Sequence, residues 1–288
     1  MKKIKFLIPL FAVAIAAVGI FLALKSERAL VAHPKGIMAH KELHLIKTNI
    51  FLMLIIVIPT FVLFFFTAWK FRIKNKKAEY DPEHSHGWLG EAILWIIPSL
   101  VIAVMAGITW KAAHELDPYR PLTGEFETLT IQVVAIDWKW LFIYPEQGIA
   151  TLNFVQFPER TPIHFALAAD GSPMNSFWIP QLSGQIYTMT GMVTPLHVMA
   201  DGPGEYAGRA AEINGQGFAS MTFVAKSSSR EDFDSWVNGV KQSQQRLSDK
   251  AYEALLKPSQ NEPVTLFSSV EEHLFHRIVM KYMHPEGH

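Results

Sequence analysis

The 288-residue sequence contains no cysteine. That absence removes any disulfide framework, and it removes the thiolates that mixed-valence copper pairs require. An excess of one charge is missing too: 26 basic residues balance 26 acidic ones, for a formal net charge of zero. A nucleic-acid partner asks for a basic surface, so none is expected. Only 18% of the residues are charged, whereas 50% are hydrophobic, which is too apolar for one ordinary soluble domain. Membrane segments joined to a globular part are expected instead.

The apolar excess is concentrated near the N-terminus. Lys2, Lys3 and Lys5 precede the uncharged run Phe6–Leu24. Residues 1–32 therefore read as an uncleaved signal anchor, with late cleavage near Ala32 as the alternative. Lys25–Thr48 is polar and mixed. His40 and His44 within it have a helical spacing that suits a metal, but they read more simply as a solvated helix face. Ile50–Trp69 and Gly87–Trp110 are each long enough to cross ~30 Å of hydrocarbon, and they predict a hairpin over residues 33–113. Lys70, Arg72, Lys74, Lys76 and Lys77 lie between them and read as cytoplasmic. His84 and His86, in the same connector, read as an exposed turn. Glu91 stands at the start of the second span. A carboxylate there is a functional candidate by default, although an acid in a first helical turn is also favoured by the helix dipole.

From Thr128 the pattern changes. His114–Glu127, with Pro118 and Pro121, reads as a linker. Leu129, Ile131, Val133 and Ala135 then alternate with polar partners. Strand-like runs recur at Ala150–Phe157, Pro162–Ala168, Gln185–Met192, Leu196–Ala200 and Ala219–Val224. Turn signals at Asp170–Pro173 and Asp201–Gly204 separate them, so residues 124–226 predict a Greek-key sandwich. Trp138 and Trp140 read as alternate positions on one strand face. Helices are expected at Ser229–Gln245, Ser248–Lys257 and Ser268–Met283, within an extension over 229–288. Ser229 with Asp232, and Ser268 with Glu271, serve as expected caps. His273, His276, His284 and His288 read as solvated.

The stretch Gly202–Met221 lies between two strand-like runs and ends Ala210-Ala211-Glu212-Ile213-Asn214-Gly215-Gln216-Gly217-Phe218-Ala219-Ser220-Met221. It resembles the metal loop of the subunit II family of haem–copper oxidases, which runs roughly C-S-E-I-C-G-x-x-H-S-x-M, with the strong ligands replaced. The cysteine positions are Ala210 and Asn214, and the histidine position is Phe218. The family's other histidine precedes S-F-x-x-P; here that position is Asn175, in Met174–Pro180. Glu212 and Met221 remain, but a carbonyl and one thioether make a very weak site. The runs MNSFWIPQLSGQIYTMTGM and DWKWLFIYPEQGIATLN, together with the hairpin, resemble the copper-less ubiquinol-oxidase branch of that family, the cytochrome bo type. The likeness extends from about Pro34 to about Met283.

The resemblance implies a membrane α-helical hairpin plus N-terminal signal anchor, followed by an all-β cupredoxin-like Greek-key sandwich and a C-terminal helical extension. It implies no cofactor on this chain, with haems and copper in a partner subunit I. Oxidase subunits I, III and IV, membrane lipid and, through the complex, ubiquinol are the implied partners. The implied place is a bacterial inner membrane, crossed more than once, with the C-terminal domain in the periplasm. The implied activity of the complex is oxidation of ubiquinol, reduction of oxygen to water and outward proton movement. Glu91, within Leu89–Trp95, matches a family glutamate at the mouth of a proton-uptake path. Copper-bearing relatives receive electrons over a tryptophan of the aromatic run, which makes Trp138 and Trp140 candidate interface aromatics; packing is the competing reading. Two rival classes are a copper-binding cytochrome c oxidase-like subunit and a membrane-anchored copper-handling cupredoxin. The second would draw on Met189, Met192, His197, Met199 and Met221. The missing thiolates disfavour the first, and the membrane hairpin with the complete family frame disfavours the second.

Overall fold

The computed structural model describes residues 18–20, 22–26, 28–76, 87–172 and 174–283. Most of the first apolar run lies outside them, as do His84, His86, His284 and His288. The described chain forms two compact units.

The unit Leu43–Asp117 is built from two helices, α1 (Ile37–Lys70) and α2 (Trp88–Glu115). Both are long and apolar enough to cross a membrane. Their large side chains point outward: Phe51, Phe64, Trp95, Leu100 and Ile102 are all exposed. Such a surface is stable against lipid or other apolar helices, not against water. Both helices exceed the expected spans. The polar stretch ahead of Thr48 contains no breaker after Gly36, so the helix begins at Ile37 rather than at the apolar boundary. Pro59 and Pro98 lie inside α1 and α2. Neither can donate to the helical ladder.

The other unit is a two-layer β-sandwich. Its strands are β1 (Leu129–Ile136), β2 (Lys139–Tyr144), β3 (Ile149–Leu152), β4 (Phe154–Pro158), β5 (Ile163–Ala169), β6 (Met174–Trp178), β7 (Ile186–Met189), β8 (Thr194–Val198), β9 (Gly204–Ala210), β10 (Thr222–Ser228) and β11 (Thr265–Phe267). One sheet has the order β11-β3-β2-β1-β5-β8 and the other β4-β10-β9-β6-β7. The pairs β1–β5 and β4–β10 are parallel, and the remaining pairs are antiparallel.

The alternation in β1 sets the layers. Leu129, Ile131, Val133 and Ala135 enter the core between the sheets. Val134 and Ile136 face the other way and are buried too, in a second cluster shared with the C-terminal segment. The inter-sheet core is aromatic. Phe177 of β6 lies 5.2 Å from Trp140, 5.3 Å from Phe165 and 5.0 Å from Phe223, ring centre to ring centre.

The expected strand Ala150–Phe157 is two strands, β3 and β4, in different sheets. Asn153 breaks it, with φ at 55°. Its amide N–H donates to Trp140 O (2.8 Å), and its side-chain Oδ1 accepts from Trp140 N (2.9 Å). Its Nδ2 donates to Glu262 O at 2.9 Å, and its carbonyl accepts from Val224 N at 3.2 Å. Asparagine tolerates the left-handed conformation because its short amide bonds locally. Part of the expected Gly202–Met221 loop is also strand, namely β9.

The chain ahead of α1 and the helix's first turns dock on the sandwich. Gly36 bridges to Ala200, Lys35 N donates to Gln181 O (2.7 Å), and Asp201 N donates to Lys35 O (2.9 Å). A Cβ on Gly36 would stand 2.8 Å from Met199 O, so only glycine fits this approach. His40 is paired rather than simply solvated: its Nε2 lies 2.8 Å from Asp201 Oδ2. Glu42 Oε1 accepts from Gly184 N at 2.7 Å.

Beyond β10 the chain forms α3 (Arg230–Lys241), α4 (Asp249–Leu255) and α5 (Leu274–Met280). Ser229 and Ser248 cap α3 and α4 by accepting from Asp232 N and Ala251 N. The third expected helix is shorter than its pattern. Ser268 Oγ donates to Gln245 O instead of capping, and α5 starts after His273, which has φ at 56° and caps with no side-chain bond. Thr265–Phe267, just upstream, joins the sheet as β11 beside β3.

Phe177→Ala would empty the meeting point of both sheets. It is expected to cost about 3–5 kcal/mol of stability, read as a shifted unfolding midpoint of the full chain in detergent. A shift equivalent to less than about 1 kcal/mol would show that the two layers do not depend on this ring.

Candidate functional site

The loop Ala211–Ser220 joins β9 to β10. Its ends are fixed by the ladder: Ala210 N donates to Met221 O (3.0 Å), and Ala211 N donates to Ser176 O (3.0 Å) on β6. The second bond brings the loop beside Asn175, which the pleat of β6 turns into the core with no exposed surface. A 3-10 turn, Phe218–Ser220, closes the loop. Ser220 Oγ steadies it by donating to Gly217 O at 2.8 Å.

The residues at the family's ligand positions separate into two groups. Asn175, Asn214 and Met221 meet: Asn214 Nδ2 donates to Asn175 Oδ1 and lies 3.1 Å from Met221 Sδ. Ala210 is buried beside them, held through its backbone to Met221. Phe218 turns its ring onto the inter-sheet core, and Glu212 takes a hydrogen bond from the Tyr187 hydroxyl at 3.4 Å. Asn175 Nδ2 and Asn214 Oδ1 are buried without a protein partner.

These atoms do not fit a binuclear copper centre. An amide N–H is a donor of hydrogen bonds and offers a metal no lone pair. The amide oxygens are hard ligands, unsuited to a mixed-valence pair. The one thioether is occupied by the Asn214 contact. The arrangement is a polar side-chain contact closing the space between β6 and the loop.

Trp138 belongs to this site in a way the sequence pattern did not suggest. It lies in the turn between β1 and β2, not on a strand face with Trp140. Its ring lies over two glycines of the loop. A Cβ on Gly217 would stand 2.3 Å from Trp138 Cδ2, and one on Gly215, where φ is 122°, 3.2 Å from Cζ2. The available signal was Gly215-Gln216-Gly217, two glycines where a flat ring needs bare backbone. Trp140 has no exposed surface at all and packs on Phe177 and Phe223. Its reading as an interface aromatic is corrected by that burial.

The histidines and methionines of the copper-handling reading are spread over both sheets. Met221 touches the loop, whereas His197 lies on β8, where its ring stacks on His164 at 4.8 Å and its Nδ1 lies 2.9 Å from Pro118 O. Among the described residues, no group of three or more His, Cys, Asp or Glu side chains is placed to hold a metal. Glu91 lies in the other unit, in the first turn of α2, with its side chain exposed.

With the loop and its frame described, likeness to known proteins adds the rest. Residues 241–286 match the family model of the COX Aromatic Rich Motif. The chain is 49% identical over 252 residues to cytochrome bo(3) ubiquinol oxidase subunit 2 of Pseudomonas aeruginosa, covering 88% of this chain and 76% of that one. It is 46% identical over 254 residues to ubiquinol oxidase subunit 2 of Acetobacter aceti, covering 88% and 82%. It is 34% identical over 240 residues to quinol oxidase subunit 2 of Bacillus cereus, covering 83% and 82%. The periplasmic domain of subunit II of cytochrome oxidase (CoxB) of Bradyrhizobium japonicum aligns at 19% identity and a TM-score of 0.39, over 42% of this chain and 96% of that domain. These relatives make the chain an oxidase subunit II. At this identity and coverage the chain belongs to the ubiquinol oxidase subunit 2 family.

Gly217→Ala would push Trp138 off the loop. The expected result is a red-shifted tryptophan emission and a loss of about 1–3 kcal/mol of stability, the usual cost of forcing extra volume into a packed site. An unchanged spectrum would mean that the ring does not rest on this backbone.

Proposed function

We propose that this chain is the non-redox subunit II of a proton-pumping ubiquinol oxidase. The observation that supports this reading is the Asn175–Asn214–Met221 contact, made by residues at positions that the sequence resemblance matches to copper ligands. Relatives named ubiquinol oxidase subunit 2 support the substrate. The complex oxidises ubiquinol, reduces oxygen to water and moves protons outward. Haems and copper reside in subunit I, and this chain holds none. Subunits I, III and IV are its partners.

The chain lies in a bacterial inner membrane, crosses it more than once, and carries its sandwich on the periplasmic side. Residues 1–32 anchor it, 33–113 form the hairpin, 124–226 the sandwich, and 229–288 an extension. The hairpin stabilises subunit I. Glu91 passes cytoplasmic protons towards subunit I. An exposed carboxylate in the first turn of an otherwise apolar helix is costly in lipid, and a water-filled proton path beside a partner subunit relieves that cost.

Two measurements test this. In the purified complex, copper should be absent from this chain, and ubiquinol should be oxidised with oxygen as acceptor. Stoichiometric copper on this chain, with a near-infrared mixed-valence band, would overturn the non-redox reading. Glu91→Ala is expected to lower turnover by roughly tenfold or more and to slow reduction of the high-spin haem, with Glu91→Asp less affected. Unchanged rates in the alanine variant would remove Glu91 from the proton path.

A further inference from the structure

The sandwich has two separate hydrophobic clusters. The buried residues of the one between the sheets all come from 129–240, and from beyond Val240 only the partly buried Leu266 packs against them. The second lies on the outer face of the six-stranded sheet. There Val134, Ile136, Leu141, Ile143, Ala150, Leu152, Ala166 and Ala168 are covered by Leu247, Tyr252, Phe267, Leu274, Phe275, Ile278 and Val279. The covering segment is therefore layered onto the sandwich and joined to it along one edge through β11.

Two buried charges fasten that layer. Asp170, just past β5, is 1% exposed. Its Oδ1 accepts from Lys281 Nζ (2.8 Å) and from the Tyr282 hydroxyl (2.6 Å), and its Oδ2 accepts from the Tyr252 hydroxyl (2.7 Å). One carboxylate thus ties the start of the segment to its end. Tyr282 is also seated against Gly191, and its hydroxyl accepts from Gly171 N at 3.1 Å. Lys139, the first residue of β2, is likewise 1% exposed, and its ammonium donates to Leu255 O and Lys257 O, both at 2.9 Å. Those carbonyls lie at the end of α4, where a helix leaves acceptors unpaired and favours a cation. Sequence patterning had assigned Asp170 only to a turn, and Lys139 only to an aromatic run.

We propose that residues 245–283 are a strap that opens and closes as one unit, its edge strand β11 parting from β3 and the rest lifting from the outer sheet face, latched by Asp170 and Lys139. Opening leaves the buried inter-sheet core in place, because the strap adds to it only the partly buried Leu266. It bares a sheet face rich in Val, Ile and Leu, so the closed latch also keeps that face from other chains.

Hydrogen exchange on the purified complex tests the strap. In Asp170→Asn and in Lys139→Met, amides of α4 and α5 are expected to exchange roughly tenfold faster or more, since a hydrogen-bonded buried charge is lost. Amides of β9 and β10, in the other sheet, should keep their wild-type rates. Should either variant fail to assemble, Tyr282→Phe and Lys281→Met each remove one partner of Asp170 and should speed exchange in the strap alone. Unchanged strap exchange in the variants that assemble, or an equal rise in β9 and β10, would overturn the proposal.

Discussion

The contact between Phe177 and the rings around it holds the sandwich together. Phe177 comes from one sheet, while Trp140, Phe142 and Phe165 come from the other. Stacked on Phe223 with ring planes 16° apart, it closes the layer from its own side as well. Offset and edge-on aromatic pairs bury large areas and add their own attraction. Much else follows from where this ring is placed. Phe177 lies opposite Ala210 in the β6–β9 ladder, so the packing that positions Phe177 also positions the start of the Ala211–Ser220 loop. The pleat then turns Asn175, two residues earlier on β6, inward to the same side.

The Ala211–Ser220 loop is fixed by contacts of its own backbone and side chains. Backbone bonds from Ala210 and Ala211, the 3-10 turn and the glycine seat for Trp138 all involve atoms that a copper pair would not touch. Those interactions fold the loop. The space between the strands is closed by an amide and a thioether drawn to Asn214. The chain thus has a cupredoxin-like form in which packing and hydrogen bonds hold this loop.

Some of this was legible in the sequence and some was not. Alternation exposed β1 directly, because hydropathy reports which side of a strand faces a core. The serine cap of α3 was equally plain, since Ser229 and Asp232 lie within one turn, whereas the same pattern at Ser268 and Glu271 does not become a cap. The break at Asn153 was hidden: Ala150–Phe157 mixes apolar and polar residues as one strand could, and hydropathy does not report that one residue is left-handed. Trp138 and Trp140 look equivalent by spacing, yet a turn separates their roles. The meeting of Asn175 with Asn214 depends on how β6 lies beside β9, which no local spacing encodes. β11 is three residues long, and its assignment rests wholly on its partner β3.

Asn153 carries a mechanical consequence. The chain passes from one layer to the other within that single residue, since β3 ends at Leu152 and β4 begins at Phe154 in the opposite sheet. Its backbone and side chain bind Trp140 on one layer, Val224 on the other, and Glu262 ahead of β11. A sliding of one sheet across the other would have to tear this bolt before the greasy interface could shear. Load applied to the sandwich along its strands is thus carried by a short, directional joint, and the soft aromatic filling is shielded from creep.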